Sequence, residues 1–350
     1  MMLFLYLLLC LYALFLCCCV YAWQKTKREK IIGNVRTDLS VVICARNEAG
    51  KIGSLLRDIE KQSYKAKEII VVDDNSSDRT AEIVSSFPDV RLIQNTGIGK
   101  KQALKCGVEA AICDNIVCTD ADCHVSDTWL QAIASCFVTY NPSLIIAPVR
   151  MISNHTCWQQ LQAVEFLSLA AVTAGSALLG HPTMCNGANL AFRREVWLRS
   201  FGDLKMEEPS GDDMFFMMYC KKQGEPIRYL KSQDAMVTIE PNETIEQFRN
   251  QRRRWVSKSK SYRDVSVILL GLLTFAVTVM PLFLLLFGLW QQALICWTGK
   301  TLADALFVLN FASFFNGKQL VSKIIPLAML YPFYVLYVTV PGLFCKVKWK

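Results

Sequence analysis

The chain has 350 residues, 53% of them hydrophobic, with 38 Lys and Arg against 30 Asp and Glu and a formal net charge of +8. That apolar content excludes a disordered chain, and the length exceeds the usual size of one domain. The basic excess does not indicate nucleic acid. It gathers at residues 25–30 and in seven Lys/Arg between Arg249 and Arg263 with no acid among them, beside apolar segments where anionic headgroups are the simpler partner.

Residues 1–23 are almost wholly apolar and long enough to cross a bilayer. The charged cluster Lys25-Thr-Lys-Arg-Glu-Lys30 follows this run and no small-residue cleavage site is present, so it reads as an anchor and not a signal peptide. Its basic flank places the amino terminus outside and everything after Lys25 in the cytosol. Residues 38–264 have the composition of a soluble domain with one large core. Within them Ser40-Val-Val-Ile-Cys-Ala45 predicts a buried strand, and Ile52, Leu55, Leu56 and Ile59 predict a helix over 51–62. A strand at 68–72 runs into Asp73-Asp-Asn-Ser-Ser77, where Asn75, Ser76 and Ser77 are good caps for a helix over 80–87. A strand at 90–94, a helix over 100–112 and a strand at 115–118 follow. This alternation predicts an α/β fold with a mostly parallel sheet, whose ligands bind beyond the carboxyl ends of the strands.

The downstream half is less regular. Residues 158–179 are apolar but interrupted by Gln159, Gln160, Gln162, Glu165 and Thr173, which predicts a buried or interface-lying helix. Cys185-Asn-Gly-Ala-Asn-Leu190 is a polar turn, and Ser210-Gly-Asp-Asp213 precedes a helix that Ser210 or Asp212 would cap, with Asp213 in its first turn. Residues 265–290 and 325–345 are each long enough to span. Residues 301–315, interrupted by Asp304, fit a third span, a re-entrant piece or an interfacial helix. If they do not cross, the Lys346-Val-Lys-Trp-Lys350 tail ends in the cytosol. The domains expected are an anchor (1–24), a soluble domain (38–264) and a carboxyl-terminal membrane region (265–345). The fifteen cysteines lack pairwise spacing and read as small buried hydrophobes; Cys118, Cys123 and His124 near the acids lack a Cys-x-x-Cys partner for zinc.

Glu48, Asp74, Asp120 and Asp122 all fall at strand ends on the carboxyl edge. Four acids at one edge repel unless a cation or a hydrogen-bonding ligand compensates them. Asp120 and Asp122 in Thr119-Asp-Ala-Asp122 suit a hard divalent cation that keeps positions open for substrate phosphates, although a solvated turn also produces this spacing.

The motifs in order resemble the membrane-bound, inverting family 2 glycosyltransferases with a GT-A (Rossmann-like) fold. They are Ala45-Arg-Asn-Glu48, Val71-Val-Asp-Asp-Asn-Ser-Ser-Asp78, Gly99-Lys-Lys-Gln-Ala103, Thr119-Asp-Ala-Asp122, Asn186-Gly-Ala-Asn189, Gly211-Asp-Asp213 and Gln251-x-x-Arg-Trp255. The resemblance implies a cytosolic GT-A domain with one amino-terminal and two to three carboxyl-terminal transmembrane helices, in the plasma membrane of a bacterium. It implies a nucleotide pocket at Ala45, Arg46, Asn47, Glu48 and Asp74, with Lys100 near the phosphates. Asp120 and Asp122 would hold the donor and its Mg2+ or Mn2+, and Asp213 would be the catalytic base, although Asp212 stands where the family often has Glu. Gln251, Arg254 and Trp255 would lie near the donor diphosphate and the acceptor entrance; Trp255 also suits an interfacial anchor. Asn186, Gly187 and Asp212 are expected at the acceptor. Metal-dependent transfer of a sugar from a nucleotide sugar to a lipid-linked saccharide, polyprenyl phosphate or glycolipid is the activity this implies. A processive polysaccharide synthase and an inactive nucleotide-binding membrane protein are the alternatives; the intact acids Asp120, Asp122 and Asp213 argue against the second.

Overall fold

The structure, a computed structural model, describes residues 2–33, 35–153, 156–206, 208 and 210–344, so the basic tail at 346–350 lies outside the described residues. In chain order it runs α1 (Met2–Lys25), β1 (Leu39–Ala45), α2 (Ile52–Glu60), β2 (Glu68–Asp73), α3 (Thr80–Ser85), β3 (Val90–Gln94), α4 (Lys100–Ala110) and β4 (Asn115–Asp120). Next come β5 (His124–Val125), α5 (Trp129–Tyr140), β6 (Leu144–Ile146), β7 (Val149–Met151), α6 (Cys157–Leu178), β8 (Leu190–Arg193) and α7 (Arg194–Ser200). Then follow α8 (Asp212–Gln223), β9 (Ile227–Tyr229), β10 (Val237–Ile239), α9 (Ile245–Ser257), α10 (Val265–Leu286), α11 (Trp290–Ala312) and α12 (Ile324–Phe344). Two compact units result: a sheet unit of residues 27–150 and 185–240, and a helical unit of 2–26, 151–184 and 241–344. Residues 151–184 and 241–264, inside the span expected for the soluble domain, pack with the long helices.

The sheet unit has the α/β, mostly parallel architecture expected from the residue pattern. Its seven-stranded sheet runs β3-β2-β1-β4-β8-β6-β9, with a second sheet β5-β10-β7. β1 pairs in parallel with β2 and β4, whereas β8 runs antiparallel to β4 and β6. Val41, Val42 and Ile43 of β1 are buried on both faces, which is why the strand reads as a continuous apolar run. Ile52, Leu55, Leu56 and Ile59 form the buried stripe of α2 at the expected helical spacing. Register then sets the site: Ala45 lies opposite Asp73 and Cys44 opposite Asp120, so these strands finish at one edge.

Two capping expectations are corrected. Asn75, Ser76 and Ser77 do not cap α3; its start is held by Asp78, which accepts from the Thr80 N–H at 3.0 Å. Neither Ser210 nor Asp212 caps α8. Gly211 stands at that position with φ +97° and no side-chain cap, and both acids occupy the first turn, where the helix dipole favours them.

In the helical unit five helices are long and apolar enough to cross a membrane: Met2–Lys25, Cys157–Leu178, Val265–Leu286, Trp290–Ala312 and Lys318–Gly342. Most of the 301–315 stretch therefore belongs to a helix of spanning length. Asp304, its interrupting acid, pairs with Lys300 at 2.5 Å and accepts from the Tyr12 hydroxyl at 2.6 Å. α1 lies close against α6, where a Cβ on Gly175 would stand 2.4 Å from that of Cys19.

Gly107 lets α4 settle on the sheet, since an added Cβ would stand 2.5 Å from Val42 Cγ1 and 3.0 Å from Val72 Cγ2. Gly107→Ala should lower the melting temperature of the detergent-solubilised protein. Overpacking of about 1–3 kcal/mol should exceed the helix-propensity gain of about 1 kcal/mol. A raised melting temperature would contradict the tight approach.

Candidate active site

The turns after β1 and β2 are stitched to each other. Asn47 N–H donates to Ser76 Oγ at 2.9 Å, Glu48 N–H to Thr80 Oγ1 at 2.8 Å and Ala49 N–H to Asp78 Oδ2 at 3.0 Å, while Ser77 N–H donates back to Asn47 Oδ1 at 2.8 Å. Asn47 and Asn75 take left-handed φ values of +55° and +57°, a conformation asparagine tolerates better than most residues. Asp74 is 2% exposed and accepts from Asn95 Nδ2 at 2.6 Å and the Gly99 N–H at 3.0 Å, with Arg46 Nη1 3.8 Å away. Asp74 thus holds the turn that launches α4.

The first residue of α4 is Lys100, whose amine bonds Asp120 Oδ1. Burial works against its charge, but Asp120 and Asp212 outweigh that and hold its pKa well above the ordinary lysine value. Its favourable contribution is therefore complete at neutral pH and is lost only in strong alkali. Asp122 is half-buried, and burial, followed by repulsion from Asp120, raises its carboxyl above the usual range. Lys51, which sequence reasoning passed over, bonds Glu240 at 3.2 Å; burial opposes its charge, yet Asp122 and Glu240 raise its pKa.

The third group comes from the 186–189 turn and α8. Asn189 is fully buried; its Nδ2 donates to the Pro148 and Ala235 carbonyls at 2.8 Å each, and its Oδ1 accepts from Trp129 Nε1 at 3.0 Å. That anchor fixes Asn186 and Gly187, and the Gly187 N–H donates to Asp213 Oδ2 at 3.1 Å. Asp213 Oδ1 accepts from the Met214 N–H at 2.7 Å, so backbone donors orient both oxygens. A Cβ on Gly187 would stand 3.5 Å from Lys100 Nζ and 3.8 Å from Asp212 Oδ2, which places the turn beside both charged groups. Lys100, Asp120, Gly187, Asp212 and Asp213 line one cavity of about 20 Å³.

The sheet unit thus collects Ala45, Arg46, Asn47, Glu48, Asp74, Lys100, Asp120, Asp122, Asn186, Gly187, Asp212 and Asp213 at its carboxyl edge. Gln251, Arg254 and Trp255 lie on α9 of the helical unit. There Gln251 Oε1 accepts from Asn242 Nδ2 at 2.9 Å and from Arg252 Nη1 at 2.5 Å. Arg252, which the motif did not single out, is 3% exposed, bonds Glu165 Oε2 at 2.7 Å and stands over the Trp255 and Phe248 rings at 4.2 and 4.5 Å. Tyr334 donates to Glu165 Oε1 at 2.8 Å. The signal that could have found this network is Glu165 itself, a carboxylate inside an apolar helix that needs a cation.

Among the described residues no three His, Cys, Asp or Glu side chains form a metal-holding group. Asp120 and Asp122 nonetheless fit a hard cation. They offer two carboxylates whose mutual repulsion a divalent ion would relieve, with the remaining positions left to phosphate oxygens. Burial pushes the Cys118 and Cys123 thiols well above their ordinary value.

Residues 40–199 match the model of the family described as Glycosyl transferase family 2. The chain is 31% identical over 175 residues to a 4,4'-diaponeurosporenoate glycosyltransferase of Staphylococcus haemolyticus, covering 47% of this chain and 44% of that protein. It is 26% identical over 179 residues to a poly-beta-1,6-N-acetyl-D-glucosamine synthase of Staphylococcus epidermidis, 49% of this chain and 42% of that one. The chain spans less than half the length of both relatives. Among solved structures, a mannosyltransferase from Pyrobaculum calidifontis in complex with GDP-Man and Mn2+ has the same fold at a TM-score of 0.64 and 18% identity, covering 97% of this chain and 96% of that one.

Because the folded state raises the Asp122 pKa, its ionised form opposes folding at neutral pH, and that cost is relieved as pH falls through the raised value. Asp122→Asn should therefore raise the melting temperature without added cation. A lower melting temperature at pH 7 would contradict this reading of the site.

Proposed function

We propose, on the premise that the chain carries a family 2 glycosyl transferase domain, that it transfers a sugar from a nucleotide sugar to a membrane-associated acceptor with inversion. The observation that supports this best is the convergence of Lys100, Asp120, Gly187, Asp212 and Asp213 at the carboxyl edge, with Lys100 bonded to Asp120 and the Gly187 N–H to Asp213. The turn at Ala45, Arg46, Asn47 and Glu48, with Asp74, is proposed to receive the nucleotide. Lys100 approaches its phosphates, and displacement from Asp120 would free it to do so.

The reaction forms a bond from an acceptor oxygen to the anomeric carbon and breaks the bond from that carbon to the diphosphate, which leaves with the electron pair. The acceptor hydroxyl must lose a proton, and Asp213 is the proposed base. The Gly187 and Met214 N–H groups fix its carboxylate, so it meets the hydroxyl in one orientation. A base on the face opposite the leaving group gives inversion. Mg2+ or Mn2+ held by Asp120 and Asp122 would supply charge neutralisation of the leaving diphosphate. Gln251, Arg254 and Trp255 are proposed at the donor from the Gln251-x-x-Arg-Trp255 motif, and Asn186, Gly187 and Asp212 at the acceptor. The long apolar helices Met2–Lys25, Val265–Leu286, Trp290–Ala312 and Lys318–Gly342 support a membrane setting, whereas Cys157–Leu178 joins the two segments of the sheet unit and cannot cross without separating them. The basic flank at 25–30 supports the proposal that the sheet unit is cytosolic, at the plasma membrane of a bacterium.

A second reading, processive polymer synthesis, is favoured by the name of the poly-beta-1,6-N-acetyl-D-glucosamine synthase relative. Product length separates the two: a single added sugar supports the first and a ladder the second.

Purified protein in detergent should bind or hydrolyse one of a panel of nucleotide sugars, more strongly with Mn2+. Asp213→Asn should slow transfer by about 10²–10⁴-fold while donor binding stays nearly intact. Normal turnover by that variant would remove Asp213 from the mechanism, and indifference to every nucleotide sugar would end the proposal.

A further inference from the structure

We infer that the face of α9 turned along α12 holds a site for the phosphate of a membrane lipid headgroup. This inference is independent of the transferase reading. Arg249 and Arg253 are four residues apart on α9, so their side chains leave the same face. Each buries an Nε that, among the described residues, has no hydrogen-bond partner. A buried donor on a charged group is costly without an acceptor, so the geometry asks for a ligand that brings oxygens. The Arg253 end of that face meets α12. The Arg253 guanidinium lies 5.6 Å from the Tyr337 ring centroid, and a Cβ on Gly342 would stand 2.9 Å from Val256 Cβ. Arg252 points elsewhere, being committed to Glu165.

The charge around this face selects an anion. No acid occurs from residue 247 to residue 263. Glu246, 3.8 Å from Arg249, is largely solvated and makes a loose contact. Guanidinium groups suit phosphate because their forked N–H donors match its oxygens. Inorganic phosphate shares that head chemistry, but the surroundings favour a lipid. Tyr337 is 52% exposed and lies within the apolar stretch Lys318–Gly342, where an acyl chain can lie against the helix and the tyrosine can sit at headgroup level.

The test uses the full-length protein in neutral detergent, titrated with phosphatidic acid, with retained lipid counted by native mass spectrometry. Arg249→Gln/Arg253→Gln should weaken retention about 25-fold, each basic side chain beside an anionic headgroup giving a factor of roughly five. Lys260→Gln/Arg263→Gln removes the same charge from the same basic run and should stay within about twofold of the parent, since those residues lie off the site. Arg249→Lys/Arg253→Lys keeps the charge but loses the fork, and an intermediate affinity is expected. Equal losses in the two Gln pairs would mean a diffuse basic surface and overturn the site, as would full retention by Arg249→Gln/Arg253→Gln. Displacement of the lipid by millimolar inorganic phosphate would overturn the lipid assignment.

Discussion

Charge compensation at the carboxyl edge of β1, β2 and β4 is the constraint on which the sheet unit depends. The parallel register delivers Asp73, Asp74 and Asp120 to neighbouring strand ends, and α8 adds Asp212 and Asp213. Such a cluster is unstable by itself, and the ammonium of Lys100 answers it by pairing with Asp120 in the field of Asp212. The position of Lys100 is in turn set by Asp74, which accepts the Gly99 N–H immediately before α4 begins. Asp74 therefore has an architectural duty that the motif alone does not reveal: it aims the lysine that balances the other acids. Asp122 beside it has its carboxyl raised first by burial and then by repulsion from Asp120, which Lys51 and Lys100 only partly offset.

The first half of this arrangement was legible from residue order. β1, β2, β3 and β4 are short apolar or β-branched runs that end in polar turns, and α2 carries its stripe at helical spacing, so the parallel edge and its acids could be placed before any coordinates. The later strands were not legible for a physical reason. β5, β6, β7, β9 and β10 have two or three residues each, too few for an alternation to show, and they are held by neighbours distant in sequence. The antiparallel entry of β8 between β4 and β6 is likewise a property of the sheet and not of Leu190–Arg193. Helix starts were misassigned where a capping residue was chosen by type. Asp78 outcompetes three good candidates at α3 because its carboxylate also takes the Ala49 N–H and so ties two turns together.

Site residues followed the same division. Asp120, Asp122 and Asp213 stand out because several short acidic motifs follow one another in the order that the resemblance implies, although a turn or a helix dipole accounts for each one singly. Asn189, Lys51 and Arg252 do not stand out, since their importance lies in partners far along the chain. Asn189 satisfies two carbonyls and an indole N–H in a fully buried position, and each of those groups would be orphaned without it. Nothing near residue 189 in sequence announces those partners.

In the helical unit, the residues that blurred hydropathy are the ones that fix helix contacts. Gln162 exchanges hydrogen bonds with the Asn242 backbone, Glu165 joins α6 to α9 and α12 through Arg252 and Tyr334, and Asp304 joins α11 to α1 through Tyr12. Tyr331 and Tyr334, whose rings lie 5.6 Å apart on α12, stand beside both ionic groups: Lys300 lies 5.5 Å from the Tyr331 ring, and Tyr334 bonds Glu165. Apolar packing between such helices tolerates many rotations, because one leucine-rich face resembles another. A buried carboxylate tolerates very few, since any arrangement that separates it from its arginine or tyrosine leaves a charge unpaired at a cost of about 3–5 kcal/mol. The polar interruptions therefore act against alternative packings more than for stability as such. They are also why Gln251 and Trp255, on either side of Arg252, are held in one orientation on α9.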